Sequence, residues 1–448
     1  MFLSKSYYKS NFNLALPIIL SSVGQSFTQM IDTIMVGQLG ATSLAAVAFA
    51  GSVSMNALVF GMGIAMALTP LAGQSFARGE HRKISMLFQN SLALNSIIAL
   101  IIISLLFLIF PLLGHFGQPQ DVIDECRPYY LIISISFLPS LIFLTFKQLL
   151  EGLGNTKNAM IITISVNIIN IILNYILIYG KFGSPALGVT GAGIATLIAK
   201  TIMPIAFFIF IYFNKRYRKY LLFFSWNKMT FHTQKIILRL GMPISGQMFL
   251  EFASLLFITL MMGWVGKTTL AGYHIVITIV GTTFLIASGL SSATTVLISH
   301  EFGRNNIGEI KKYFKSGYHL TLFTMTIFGL LLIFLGKPIA SIFSPDQEVV
   351  EIATIFFIVA GFFQLIDGSQ VLFLGALRGI NDVAKPMKYA FISYTLIAIP
   401  FAYICGFVLN LGSWSIFAGF SAGLLTAAIL YYNRFRLKIK ELSQGQTN

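Results

Sequence analysis

The chain has 448 residues, 56% of them apolar and only 10% charged, with a formal net charge of +15. Soluble globular domains carry about 25% charged residues, so this composition excludes an ordinary water-soluble enzyme or binding module and points to a surface facing lipid. Its length is therefore read in units of the roughly 20 apolar residues that cross a bilayer.

In chain order, polar or turn-rich breaks leave long apolar runs near 13–36, 44–75, 85–110, 127–150, 158–180, 187–213, 238–264, 269–299, 315–335, 349–376, 387–409 and 412–433. Barrel strands would alternate over about ten residues. These runs are longer and continuously apolar, so the expected fold class is an all-α integral membrane protein with twelve transmembrane helices. The first run continues from Leu14 into Asp32 without a small-residue cleavage site, so it is read as a span rather than a signal peptide. Cys126 and Cys405 form neither a metal pattern nor a disulfide framework.

Basic residues orient the helices. With a cytoplasmic N-terminus, 25 of the 30 lysines and arginines fall in inner segments, including seven between Lys215 and Arg239. Arg127, Lys181, Lys267 and Lys337 fall outside, and Lys200 lies within a span. Both termini are therefore expected in the cytoplasm of a multi-pass plasma (inner) membrane protein. The basic loops match what anionic inner-leaflet lipid attracts. No base-reading module accompanies them, so membrane lipid is an expected partner and nucleic acid is not.

The chain repeats itself. Leu16-Pro17-Ile18 returns as Met242-Pro243-Ile244, an offset of 226 that also pairs Gly40 with Gly266, Thr69 with Thr295 and Arg78 with Arg304. Glu151-Gly152 meets Arg378-Gly379 and Met160 meets Met387 at an offset of 227. Each repeat carries six spans, so the halves enter the membrane in the same sense, as parallel repeats do. The expected organisation is an N-lobe over 1–213, a cytoplasmic linker over 214–237 and a C-lobe over 238–448.

Three of the fifteen acidic residues fall within spans: Asp32, Glu251 and Asp367. A carboxylate at a helix centre costs about 2.5–3.5 kcal/mol on insertion scales. The repeat mates are Ile258, Gln25 and Ser140, so the fold itself does not demand these acids. They serve either as structural hydrogen-bonding groups or as cation-coupling groups that carry a proton or hold sodium. Asn170, Asn174 and Thr196 offer further oxygen donors for a hard cation near Asp32, although interhelical hydrogen bonding explains membrane asparagines equally well. Gln25, Gln247, His274, Phe363 and Gln364 are the candidate cavity lining. Lys200 is a candidate counter-ion without an assigned partner.

Three short motifs fail. The run from Gly263 to Thr268 imitates a phosphate loop, but its first glycine comes two residues late. Gly419-Phe-Ser-Ala-Gly423 lies inside the twelfth span with no strand before it. His300-Glu301 lacks the second histidine of a zinc site. Nothing indicates hydrolysis or ATP use, so the chain is not read as an enzyme, and no cofactor is expected beyond Na+ or H+ as coupling ion.

Leu16-Pro17, Asp32-Thr33 followed by Val36-Gly37-Gln38-Leu39-Gly40, and Glu151-Gly152-Leu153-Gly154-Asn155 with its repeat Arg378-Gly379-Ile380-Asn381-Asp382 resemble the signatures of multidrug and toxic-compound extrusion (MATE) transporters. Gly241-Met-Pro243 leading to Glu251, and Asp367 eleven residues before Arg378, resemble the NorM branch in particular. The resemblance implies a V of two six-helix lobes and sodium- or proton-coupled export of small organic cations. It places Glu251 and Asp367 in a second-lobe cation site, and Asp32 with Asn170, Asn174 and Thr196 in a first-lobe site. Some members of that branch have tyrosine where this chain has Phe363. The alternative reading is a lipid-linked oligosaccharide flippase or metabolite exporter. A membrane-embedded enzyme and a passive channel are more remote. The chain is expected to act as a monomer.

Overall fold

The computed structural model describes residues 3–223, 225 and 228–444, so part of the expected linker lies outside the described residues. Among the described residues twelve helices are long and apolar enough to cross a membrane, and there is no strand. The helices are α1 (Lys5–Gly37), α2 (Ala41–Met66), α3 (Leu68–Ala77), α4 (His81–Ile109), α5 (Gln120–Ile135), α6 (Phe137–Gly152), α7 (Thr156–Tyr179) and α8 (Gly188–Phe213). A short α9 (Arg218–Leu222) precedes α10 (Phe231–Val265), α11 (Lys267–Gly303), α12 (Ile307–Phe343), α13 (Gln347–Gly379), α14 (Ala384–Ala390), α15 (Ile399–Tyr403) and α16 (Ser413–Gln444). Large apolar side chains such as Leu108, Phe323 and Phe334 stand exposed on these helices. Water would not tolerate such a surface, and lipid requires it. The protein is a multi-pass membrane protein.

Three spans differ from single straight helices. The second runs from α2 into α3 through Ala67, and the fourth from α5 into α6 through Ser136, both linking residues keeping helical dihedrals. The eleventh passes through two π-helical stretches, Phe391–Ala398 and Ile404–Val408, around α15. Pro400 has no N–H to donate to a carbonyl one turn earlier, and the wider π turns lie on either side of it.

The chain divides into two compact units, Met1–Ile19 with Gly246–Asn448, and Leu20–Ser245. The division therefore falls inside α1 and α10, two residues after Pro17 and Pro243. The first unit is built around α13, which packs on α11, α12 and α16. In the second, α6 packs on α2, α3, α4 and α8.

The repeat seen in the sequence is also a repeat of backbone geometry. α3 ends with the Glu80 N–H donating to Ser75 O at 2.9 Å, and α11 with the Asn306 N–H donating to Glu301 O at 2.9 Å. α6 and α13 close the same way, Asn155 onto Leu150 and Asp382 onto Leu377. Such six-to-one bonds need a left-handed residue just before them. Gly79 and Gly154 supply it in one half, Asn305 and Asn381 in the other. Asparagine tolerates that conformation better than other side chains.

Close approach of α3 to α6 and of α11 to α13 is also shared. Thr69 Oγ1 donates to Gln148 O at 3.1 Å, and Thr295 Oγ1 to Gly375 O at 2.8 Å. A Cβ on Gly152 would lie 2.7 Å from Thr69 O, and one on Gly379 3.0 Å from Thr295 O. Small residues let membrane helices touch through their backbones. Gly152→Val is therefore expected to overpack this crossing and destabilise the protein by roughly 1–3 kcal/mol, read as a lowered melting temperature in detergent. Gly51→Ala, where nothing lies within 4 Å of the new Cβ, is the matched control and should leave the melting temperature unchanged.

Candidate functional site

The first unit gathers a polar network in its interior from α10 and α13. On α10, Gln247, Glu251 and Ser254 recur at helical spacing and share one stripe. On α13, Gln364, Asp367, Gln370 and Arg378 form another. The stripes meet. Gln247 Nε2 donates to Glu251 Oε2 at 2.9 Å, and Gln370 Nε2 donates to Glu251 Oε1 at 3.3 Å. Arg378 Nη2 donates to Gln247 Oε1 at 2.6 Å. Asp367 is only 3% exposed and faces both Gln370 and Glu251.

The order of these bonds follows from their chemistry. A guanidinium can only donate, so Arg378 must take the carbonyl oxygen of Gln247. That leaves the Gln247 amide nitrogen to point at Glu251. Both Glu251 oxygens thus accept from amide donors, an arrangement suited to a carboxylate. Gln370 Oε1, Gln364 Oε1 and the hydroxyls of Tyr394 and Tyr431 are buried without hydrogen-bond partners. Among the described residues no group of three or more His, Cys, Asp or Glu side chains could hold a metal ion. Two carboxylates together with unpartnered amide and hydroxyl oxygens are the hard oxygen donors this network offers.

In the second unit, Asp32 on α1 faces α7. Asn174 Nδ2 donates to Asp32 Oδ1, and the same nitrogen lies 3.5 Å from Asn170 Oδ1. Asn174 Oδ1 and Asn170 Nδ2 are otherwise unpartnered, as is Asn167 Nδ2 one turn earlier. Lys200 on α8 lies near enough to Asp32 to interact with it electrostatically. Thr196 lies one turn before Lys200 on the same helix, and no described hydrogen bond joins it to Asp32.

The remaining cavity candidates scatter. Gln364 is fully buried and donates to Thr283 Oγ1 at 2.7 Å. Phe363 is buried among aromatic rings, 5.8 Å from Phe417 and 6.1 Å from Phe420, so its π face is taken up by core packing. His274 is exposed on α11 beside Tyr273, and Gln25 is half-buried on α1; neither joins a network described above. Sequence reasoning missed Gln370, although it sits one turn after Asp367. It also missed that Arg378 reaches inward from the end of α13, and that Lys147 pairs with Glu151 inside the second unit at 3.8 Å.

Comparison with known proteins agrees with this architecture. The MatE family model matches residues 17–176 and 243–404. The chain is 29% identical over 448 residues to the multidrug resistance protein NorM of Vibrio vulnificus (strain YJ016), covering 99% of this chain and 98% of that protein. It is 28% identical over 440 residues to the probable multidrug resistance protein NorM of Bacillus subtilis (strain 168), covering 98% and 97%. Among solved structures, an outward-facing multidrug resistance MATE family transporter of the MOP superfamily superposes with a TM-score of 0.89 at 19% identity, covering 98% of this chain and 97% of that one. A MOP superfamily transporter from Pyrococcus furiosus, described as having a binding pocket of reversed polarity, gives 0.88 at 20% identity, covering 98% and 97%. At these identities the structural likeness speaks for the fold alone.

Proposed function

The chain belongs to the MatE family, and on that premise we propose that it is a secondary antiporter exporting small, amphipathic organic cations in exchange for sodium or protons. The carrying observation is that Glu251 and Asp367 meet around Gln370 inside a membrane-spanning unit. A buried charge there is expensive, and its retention fits a group whose charge is exchanged during transport. Asp32 with Asn174 and Asn170 is a second, separate oxygen-rich cluster available for the same purpose.

In this reading the carboxylates load a cation on one side of the membrane and release it on the other, by alternating access. Each elementary charge that falls through 100 mV supplies about 2.3 kcal/mol to drive export. The multidrug names of the relatives support organic substrates. The basic-residue bias supports a plasma-membrane protein with both termini cytoplasmic.

A second reading, export of an anionic or lipid-linked substrate, is favoured by Lys147 and Lys200 in the second unit. Cells lacking their own efflux pumps separate the two. Expression of this chain should lower ethidium accumulation several-fold, and collapsing the ion gradients should abolish the difference. Unchanged ethidium accumulation would favour the second reading.

A further inference from the structure

The segment that follows α8 is basic in an unusual way. Residues 152–250 contain no aspartate or glutamate, and Lys215, Arg216, Arg218 and Lys219 stand together at the end of a span. Among the described residues none of these four forms an ion pair. Of the four basic residues at the other end of the chain, two are neutralised: Arg434 pairs with Asp382 and Glu441, and Lys438 with Glu441.

The segment is also a built platform rather than a loose loop. Tyr217 and Tyr220 are buried beneath it, the Tyr220 ring meeting His81 edge-on at 5.9 Å. Three buried polar side chains of α4 hold its backbone. Ser85 Oγ donates to Tyr220 O at 2.7 Å, Gln89 Oε1 accepts from the Ser225 N–H at 2.9 Å, and Asn90 Nδ2 donates to Lys228 O at 2.8 Å. Aromatic rings, not carboxylates, lie against the cations. Arg218 sits 4.9 Å over Tyr212, Arg216 5.8 Å from Tyr217, and Lys219 5.5 Å from Tyr220. Beside them Phe213 is 77% exposed at the last turn of the span.

Fixed, unneutralised cations next to an exposed aromatic at a span end match a lipid interface, where the ring enters the acyl boundary and the cations meet phosphate. We propose that residues 212–219 form a docking platform for the phosphate headgroup of an anionic phospholipid. This goes beyond the transport reading and needs neither its substrate nor its coupling ion.

The test uses the purified full chain in neutral detergent, titrated with phosphatidylglycerol or phosphatidylcholine while bound lipid is counted by native mass spectrometry. Phosphatidylglycerol should bind in preference, and Arg216→Gln with Arg218→Gln and Lys219→Gln should weaken it on the order of a hundredfold, about fivefold per charge. The charge-preserving triple Arg216→Lys, Arg218→Lys, Lys219→Arg should retain binding, as should Arg436→Gln with Lys440→Gln at the other end of the chain. Equal binding of the two lipids would overturn the proposal. So would full phosphatidylglycerol affinity in the triple glutamine variant, or displacement by inorganic phosphate at equal concentration, which would mark a site for the free ion. Ethidium export by the wild type is read separately, so absent export with retained lipid binding counts against the transport reading and not against the platform.

Discussion

Asp367→Asn should leave the protein inserted in the membrane at wild-type levels and lower gradient-driven efflux by roughly a hundredfold, equivalent to about 2.7 kcal/mol. The side chain is 3% exposed and held within a network in which the amide oxygens of Gln364 and Gln370 are unpartnered. Asparagine keeps the volume and one carbonyl oxygen, so packing on α11 and α12 is unaffected. What it loses is the ability to change charge or to give an ion an anionic ligand. Membrane-fraction yield and dye efflux from everted vesicles, measured on the same preparation, separate the two effects. Normal efflux in this variant would remove Asp367 from coupling and leave it a structural hydrogen-bonding group.

Lys147→Met is expected to have the largest effect on stability. Lys147 and Glu151 lie one turn apart on α6, with side chains only 11% and 6% exposed. Removing one partner of a buried pair leaves the other uncompensated and costs roughly 3–5 kcal/mol. The 3.8 Å separation places this case at the lower end. Lys147→Met with Glu151→Gln removes both charges and should recover most of the loss, since replacing a buried pair as a whole is often nearly neutral. Chemical denaturation in detergent of the two variants and the wild type checks the order. A double variant less stable than Lys147→Met alone would show that Glu151 is stabilised by something other than Lys147.

Much of the fold was legible because membrane helices write themselves in one dimension. Each span needs about twenty apolar residues whatever its neighbours are, so the twelve runs reappear as helices, with ends lengthened by polar turns such as residues 307–314 of α12. The repeat was legible in matched segments such as Leu16-Pro17-Ile18 and Met242-Pro243-Ile244, and the structure adds a shared turn geometry. Gly79 and Gly154 are matched by Asn305 and Asn381, the residue that best tolerates the same left-handed backbone. The break in α2–α3 and the π stretches around Pro400 were not legible, since each depends on helix packing that hydropathy does not record.

The three span acids stood out because charge is rare at that depth. Their surroundings did not. Gln370 is an ordinary polar residue until α10 brings Glu251 to it, and Arg378 reads as a loop cation until its length and inward direction are seen. Phe363 shows the converse. An aromatic on a polar stripe suits a cavity wall and a packed core equally well, and only the positions of Phe417 and Phe420 decide between them.

The proposed mechanism is an ion gradient that moves an organic cation through this protein by way of Asp367. Its most direct test is ethidium flux in proteoliposomes of purified protein, with a sodium gradient and a proton gradient imposed separately, for the wild type and Asp367→Asn. Dye should move against its own gradient when at least one ion gradient is imposed, and roughly a hundredfold more slowly in Asp367→Asn. Dye movement that ignores both gradients, or that persists unchanged in Asp367→Asn, would contradict this mechanism.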